Sequence, residues 1–205
     1  MLVLAPEYIS PLGKTHERKS FDCGHEDLNR YLREQARQDA EKRVAAPFVL
    51  TQPGETRVFG FYTLSSSIIP ADELPAELMK RLPRYGQLPV TLLGRLAVDR
   101  SATAQGVGEF LLVDALRRSL EAAQQIAAMA VIVDAKDERA ESFYRHFDFQ
   151  PFQQTPLRLF LPMGPLAHYF KLQALPPLYF ALLPLIVLGY MALTQAMKGF
   201  YRRRW

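Results

Sequence analysis

The pattern of apolar and polar positions predicts a helix and then a β-hairpin in the first third of the chain. Apolar residues recur at helical spacing between residues 21 and 44, and those near one face are Leu28, Tyr31, Leu32, Ala36 and Ala40. Residues 48–51 and 58–65 are rich in β-forming residues and flank the turn QPGE. This pattern is typical of two antiparallel strands joined by a short turn.

Helices and strands alternate after the hairpin. Helices are predicted at residues 75–84, 107–123 and 137–149, and strands at residues 89–99, 129–136 and 157–163. The order is one helix, two strands and then three helix–strand pairs. It predicts a single α/β domain with a mixed sheet, and the chain shows no internal repeat.

A turn with two glycines, Gly106 and Gly108, joins the strand at residues 89–99 to the helix at residues 107–123. Such a turn presents the unpaired N–H groups and the positive dipole end of a helix, which together suit a phosphate. An ordinary strand-to-helix turn explains the same residues equally well. A Walker-type P-loop is excluded because no Lys-Ser/Thr follows, and the dinucleotide fingerprint is incomplete because residue 111 is Leu.

Composition fits a globular domain with an appendage. The chain has 205 residues, of which 49% are hydrophobic and 22% charged, and Cys23 is the one cysteine, so an internal disulfide is excluded. The four histidines show no metal-ligand spacing, and we expect no metal. The net charge of +4 is misleading, because residues 168–205 carry five cations and no acid. The remainder is nearly neutral and would bind RNA only through a local patch.

The last 38 residues differ from the rest of the chain. Residues 172–197 contain no charged side chain, and this stretch is longer than the ~20 residues that cross a bilayer. We therefore predict a domain at residues 1–167 and a hydrophobic, transmembrane tail at residues 168–205, with a buried globular helix as the alternative. The sequence FKLQALPPLYFALLPLIVLGYMALTQAMKGFYRRRW resembles the extreme C-terminus of magnesium-transporting P-type ATPases. None of that family's phosphorylation or ATP-binding motifs is present, so the resemblance does not imply transport.

Two longer motifs resemble the GNAT superfamily of acetyl-CoA-dependent N-acetyltransferases. They are LLGRLAVDRSATAQGVGEFLLVDALRR and VDAKDERAESFYRHFDFQPF. Four further segments are similar to the subfamily of toxins that acetylate aminoacyl-tRNA, namely FDCGHEDLNRYL, FGFYTLSSSII, LPRYGQLPVTLLGRLAVD and LRLFLPM. The resemblance covers roughly residues 20–163. It implies the GNAT acyl-CoA N-acyltransferase fold, followed here by a C-terminal hydrophobic helix.

The resemblance also implies a site for acetyl-CoA as co-substrate. The thioester would lie along a splayed strand formed by Leu96, Ala97 and Val98. The pyrophosphate would bind a loop made of Ala104, Gln105, Gly106, Val107, Gly108 and Glu109, and Asp137 would contact the pantetheine or adenosine side. The chain departs from the family pattern at Thr103 and Ala104, where Gln or Arg and then Gly are usual, and at Asp148, where Gly is usual.

Tyr144 occupies the family's position for the acid that protonates the departing thiolate. A phenol with an ordinary pKa of ~10 stays protonated at pH 7, which suits this role. Its spacing from Phe143, Phe147 and Phe149 is equally typical of a core aromatic residue. We expect Cys23 to be a small packed residue and not a nucleophile.

The implied function is that of a cytoplasmic toxin that acetylates the amino group of aminoacyl-tRNA and so blocks translation. Candidate RNA contacts are Arg30, Arg33, Arg37, Lys80, Arg81, Arg84 and Arg95. The implied partners are aminoacyl-tRNA and a ribbon-helix-helix antitoxin, and the sequence leaves open a homodimer and membrane contact through residues 172–197. Two alternatives remain, an acetyltransferase for another amine and a catalytically weakened, membrane-associated protein that binds acetyl-CoA.

Overall fold

The structure is a computed structural model that describes residues 2–75, 80 and 86–163. These residues belong to one of two units of the chain, Met1–Leu166. The predicted helix at residues 75–84 falls almost wholly outside the described residues, and the predicted tail lies outside them altogether. Within the described part, no helix is both long enough and apolar enough to cross a membrane.

The described residues build a mixed sheet of seven strands. The strands are β1 Ile9–Pro11, β2 Ala46–Leu50, β3 Gly60–Pro70, β4 Gln87–Val98, β5 Ala130–Asp134, β6 Gln150–Pro151 and β7 Arg158–Pro162. Their spatial order is β1-β2-β3-β4-β5-β7-β6, and neighbouring strands are antiparallel except for β4 and β5. The predicted fold class is confirmed. The two edge strands, β1 and β6, were not predicted, because strands of three and two residues are too short to show alternation of apolar and polar positions.

The helices follow the prediction with two differences. The first predicted helix is α1 Glu26–Arg30, a π-helical segment Tyr31–Gln35 and α2 Ala36–Glu41. Helix α3 spans Val107–Ala123 as predicted, whereas α4, Glu138–His146, is shorter than predicted. It begins at a side-chain cap from Asp137 and ends just before Asp148, which has a positive φ of 62°.

The helices cover both faces of the sheet. Neighbouring residues of β3 separate the two faces, because Phe61 packs with α2 while Tyr62 packs with α3. The cluster on the α2 side includes Leu32 and Ala36, and both are fully buried. The cluster on the other side contains the apolar stripe of α3 and also Tyr144 of α4. The region between α3, α4 and the sheet is therefore a packed core.

A buried polar network fixes α3 on the sheet. The Tyr62 hydroxyl donates to Asp114 Oδ2 over 2.5 Å, and Arg118 Nε donates to the same oxygen over 2.8 Å. Arg118 also donates to the carbonyl of Ile9 in β1 over 3.2 Å. Burial would raise the pKa of Asp114, but the hydrogen bonds from Tyr62 and Arg118 outweigh it and lower the pKa. The carboxylate stays ionised and ties three elements together.

Candidate active site

Strands β4 and β5 separate in the middle of the sheet. Their parallel pairing runs only from Thr91 with Val131 to Leu93 with Val133. The register between β3 and β4 shifts at the same place, since Thr63 pairs with Arg95 while Leu64 pairs with Leu93, which leaves Gly94 as a bulge. A bulge increases local twist, so it directs the end of β4 away from β5.

The predicted thioester residues lie at this opening. Leu96, Ala97 and Val98 continue the antiparallel pairing with β3, but they have no partner in β5. The peptide groups on the β5 side of this segment are therefore available to a bound molecule. An extended ligand with its own amide groups can pair with such an edge as a further strand would.

The loop after β4 prepares the N-terminus of α3. Asp99 caps a short 3₁₀ turn, Arg100–Ala102, and Gly106 caps α3 with a φ of 75°. Ala104 also has a positive φ, 59°, a conformation that costs an L-residue roughly 1–2 kcal/mol. The backbone keeps the turn expected of a glycine there although a side chain is present. The first N–H groups of α3, at Val107, Gly108 and Glu109, lack intrahelical partners and face outward from the helix end.

Gln105 uses its side chain to hold the loop. Its Nε2 donates to the carbonyl of Ser101 over 3.1 Å, and its Oε1 accepts from the N–H of Leu2 over 3.1 Å. A cavity of about 730 Å³ lies between this loop and residues Leu2, Val3 and Leu4. The side chain of Gln105 is thus engaged within the protein, and its predicted contact with the coenzyme stays a prediction.

Tyr144 lies in the core cluster that also contains Val107 of α3 and Val133 at the end of the β5 pairing. It is 8% exposed, and its ring is 5.3 Å from that of Phe143 and 5.5 Å from that of Phe149, measured between centroids. Burial raises the pKa of Tyr144 to about 12, so the hydroxyl is protonated at neutral pH. Within the described part of the chain this hydroxyl has no hydrogen-bond partner. The structure therefore shows a buried aromatic residue with a protonated hydroxyl, and its role as the acid stays a prediction.

Two other predicted or unusual positions lie on α4. Asp137 Oδ1 accepts from the N–H of Ala140 over 2.8 Å, so this side chain caps the helix. Its predicted contact with the coenzyme stays a prediction. Asp148 has a φ of 62° immediately after the helix, a conformation that Asp tolerates better than most residues. The departure from glycine at position 148 therefore leaves the turn intact.

The predicted RNA contacts on α1, the π-helical segment and α2 are paired with acids of the same segment. Arg30 is 2.8 Å from Asp27, Arg33 is 3.3 Å from Glu26, and Arg37 is 3.1 Å from Glu41. Exposed pairs of this kind contribute at most ~1 kcal/mol and exchange easily, yet they reduce the local positive charge.

Four predicted RNA contacts remain, of which the structure describes Arg95 and Lys80. The guanidinium carbon of Arg95 lies 3.7 Å from the ring centroid of Tyr31, so Arg95 braces the π-helical segment. Lys80 is exposed, and Arg81 and Arg84 lie outside the described residues. The RNA contacts stay predictions.

The loop before α1 contacts the end of β5 through residues that the sequence did not identify as functional. The ammonium of Lys136, two residues after β5, is 2.9 Å from Nδ1 of His25. The two residues are 111 positions apart, so no local pattern connects them. Cys23 lies in the same loop, where it donates to Asn29 Oδ1 over 3.2 Å. Burial raises the pKa of the Cys23 thiol, which agrees with a packed and unreactive residue.

An opening between two parallel strands, a loop at a helix N-terminus and a buried tyrosine beside them define a GNAT-type N-acyltransferase. No protein-family model matches the chain. The chain is 38% identical over 144 residues to the "tRNA-acetylating toxin" of Mycobacterium tuberculosis, which covers 70% of this chain and 84% of that protein. The chain belongs to the family of tRNA-acetylating toxins.

Solved structures of related toxins have the same fold. AtaT complexed with acetyl-methionyl-tRNAfMet aligns with a TM-score of 0.71 at 30% identity, covering 75% of this chain and 93% of that chain. A tyrosine-to-phenylalanine mutant of AtaT, bound to the C-terminus of the antitoxin AtaR and acetyl-CoA, aligns with a TM-score of 0.65 at 26% identity. This alignment covers 80% of this chain and 95% of that chain.

A separate similarity concerns a short stretch of the chain. Over 45 residues, 22% of this chain, it is 60% identical to the "Magnesium-transporting ATPase, P-type 1" of Escherichia coli. The stretch covers 5% of that transporter. The resemblance to magnesium-transporting P-type ATPases that the sequence predicted is confirmed. Because it covers so little of the transporter, it does not imply transport activity.

Proposed function

We propose that this protein is an acetyl-CoA-dependent N-acetyltransferase that acetylates the amino group of aminoacyl-tRNA and thereby blocks translation. The observation that carries the proposal is the separation of β4 from β5 next to the loop at the N-terminus of α3. The kinship with tRNA-acetylating toxins supports the same substrate class. We assign catalysis to the domain at residues 1–167 and place the reaction in the cytoplasm, where charged tRNA is found.

The residues present fit the coenzyme part of this proposal. The backbone turns at Ala104 and Gly106, both with positive φ, direct the loop around the end of α3. The N–H groups of Val107 and Gly108 would then donate to pyrophosphate oxygens, helped by the helix dipole. The free edge of Leu96–Val98 would pair with the amides of the pantetheine arm and aim the thioester carbonyl at a backbone N–H.

The chemistry is a direct acyl transfer. The neutral amine of the aminoacyl ester attacks the thioester carbonyl carbon, and backbone donors of β4 stabilise the oxyanion that forms. The C–S bond then breaks, and the leaving thiolate takes the proton of the Tyr144 hydroxyl. The proton lost by the amine goes to solvent, from which Tyr144 is protonated again. The product amide is no longer nucleophilic, so this amino acid cannot accept a growing peptide.

A partner of the antitoxin class also belongs to the proposal. One of the related AtaT structures contains the C-terminus of the antitoxin AtaR. We infer that this protein too is held by a cognate antitoxin. That such an antitoxin is a ribbon-helix-helix protein, and that the toxin forms a homodimer, stay predictions from the resemblance.

The test is to incubate the purified protein with labelled acetyl-CoA and total charged tRNA. Label on the α-amino group of the aminoacyl-tRNA supports the proposal, and it should disappear when uncharged tRNA is used. Binding of acetyl-CoA without transfer to charged tRNA would overturn the assigned substrate and favour another amine.

A further inference from the structure

The loop at residues 22–25, which we call the bridging loop, connects the ends of β4 and β5. On the β4 side, the N–H of Asp22 donates to Asp99 Oδ2 over 3.0 Å, and the N–H of Arg100 donates to the Asp22 carbonyl over 2.8 Å. On the β5 side, the Lys136 ammonium contacts His25 Nδ1 over 2.9 Å. The loop therefore crosses the mouth of the opening in which the acetyl group would lie.

The β4 end of the bridging loop is held rigidly. Asp22 Oδ1 accepts from the N–H of Gly24 over 2.8 Å and from Asn29 Nδ2 over 3.0 Å. Gly24 has a φ of 85°, and a Cβ there would lie 2.9 Å from the Arg100 guanidinium. The glycine lets Arg100 lie against the loop backbone. Among residues 2–75, 80 and 86–163, the β5 end is joined by the contact of His25 with Lys136.

Lys136 contacts a histidine, whereas the arginines at positions 30, 33 and 37 are each paired with an acid. An ammonium can only donate, so Nδ1 of His25 accepts and the imidazole hydrogen is on Nε2. The neighbouring acids are engaged elsewhere, because Asp134 is 3.3 Å from Arg158 and Asp137 caps α4. Among the described residues Lys136 has no carboxylate partner. No described acid offsets the charge of Lys136, and its ammonium has further N–H groups to donate.

We propose that Lys136, positioned by His25, binds a phosphodiester at the acceptor end of the charged tRNA. This inference rests on the proposed function and names residues of its acceptor side. The bridging loop leads into α1, whose Leu28 packs with the cluster on the sheet face opposite α3. Since we assign the coenzyme pyrophosphate to the N-terminus of α3, the α1 side of the opening is left for the acceptor, and Lys136 contacts the loop on that side.

The experiment compares Lys136→Gln with a matched control, Lys14→Gln. Lys14 is also an exposed lysine, but it follows the edge strand β1, three strands and roughly 14 Å or more from β4. We expect Lys136→Gln to raise the KM for charged tRNA 3- to 10-fold. We also expect it to flatten the slope of log KM against log salt by about 0.7, the value for one phosphate contact on a single strand. Lys136→Arg should restore most of both.

Two further measurements distinguish a phosphate contact of Lys136 from a structural role. Aminoacyl-adenosine carries the reacting ester and amine without a phosphate, so Lys136→Gln should leave its kcat/KM unchanged. The Kd for acetyl-CoA, measured by calorimetry, should also be unchanged. A loss with aminoacyl-adenosine would overturn the phosphate contact. A weaker Kd for acetyl-CoA would overturn it too, and would assign Lys136 to a coenzyme phosphate.

His25 is tested as a positioning residue by a double-mutant cycle. His25→Ala should raise the KM for charged tRNA two- to fourfold in the wild-type background and not at all in the Lys136→Gln background. Equal effects in both backgrounds would overturn the coupling. If Lys136→Gln acetylates charged tRNA as fast as the wild-type protein at every salt concentration, only this inference is overturned. A wild-type protein that neither binds nor acetylates charged tRNA defeats the proposed function as well.

Discussion

The two sides of the opening between β4 and β5 are built in different ways. The coenzyme side is continuous in sequence, because the free edge at Leu96–Val98, the turn at Gly106 and the first residues of α3 follow one another within 14 positions. The side that we assign to the acceptor joins the bridging loop to Lys136, more than 100 positions away. A contiguous site can be read from a motif, whereas a site assembled by tertiary contacts requires the structure.

The largest expected effect comes from Tyr144, the residue that we propose as the acid for transfer between the two sides. Tyr144→Phe removes the hydroxyl that we propose as the acid for the thiolate, and it keeps the packing against Phe143 and Phe149. We expect kcat to fall roughly 10²- to 10⁴-fold, the range for general acid catalysis, with an unchanged Kd for acetyl-CoA. Multiple-turnover kinetics measure kcat, and single-turnover acetylation of charged tRNA shows that the transfer step itself is slowed.

The matched control is Tyr31→Phe, a second buried tyrosine whose hydroxyl donates to Asp39 over 2.9 Å. It should cost about 1 kcal/mol of unfolding free energy and leave kcat unchanged. Equal turnover of Tyr144→Phe and wild-type protein would remove Tyr144 from the mechanism and leave it as a core residue.

A second prediction weakens the coenzyme side alone through Gly106. Gly106→Ala forces an L-residue into a φ of 75° at the cap of α3, which should cost roughly 1–2 kcal/mol and disturb the N–H groups at that end. We expect the Kd for acetyl-CoA to rise about tenfold. Gly54→Ala is the control, because Gly54 has a φ of 74° in the hairpin turn with open space around it. A similar change in Kd in both variants would show that only general destabilisation was measured.

The elements that sequence predicted best are those with a strong local signal. The amphipathic pattern of α3 and the glycine before it predicted the first and last residues of that helix. The apolar run at residues 129–136 predicted the strand β5. The π-helical segment at Tyr31–Gln35 has no periodicity of its own, and it was predicted as ordinary helix. The local charge of this segment was harder to predict than its secondary structure. The arginines at positions 30, 33 and 37 suggest a basic surface, but the structure pairs each of them with an acid.

A third prediction concerns Asp99, the residue that both sides share. Its Oδ2 accepts from the bridging loop at Asp22, and its Oδ1 accepts from the N–H of Ser101 at the start of the coenzyme loop. Burial would raise the pKa of Asp99, but the hydrogen bonds from Ser101 and Asp22 and the charge of Arg57 lower it overall. The folded state therefore binds this proton less readily than the unfolded state does.

It follows that Asp99 stabilises the fold above its ordinary pKa of about 4, and that this contribution is lost as the pH falls through its lower folded value. Asp99→Asn should cost roughly 1–3 kcal/mol at pH 7 and reduce the loss of stability in acid. Urea unfolding at pH 7 and at several values below 4 measures both quantities. Parallel acid curves for the two proteins would show that Asp99 does not contribute to this dependence.

The smallest expected effect is a gain on the coenzyme side at Ala104. Ala104→Gly removes the Cβ from a residue with a φ of 59° and so relieves strain of roughly 1 kcal/mol. We expect a higher free energy of unfolding together with a two- to fivefold lower Kd for acetyl-CoA, because the loop is held in its turn more easily. Arg43→Gly is the matched control, since Arg43 has a φ of 57° after α2 and lies apart from the loop. Arg43→Gly should gain stability without tighter coenzyme binding, and an equal change in Kd for both variants would contradict the idea that strain at Ala104 acts on the coenzyme side.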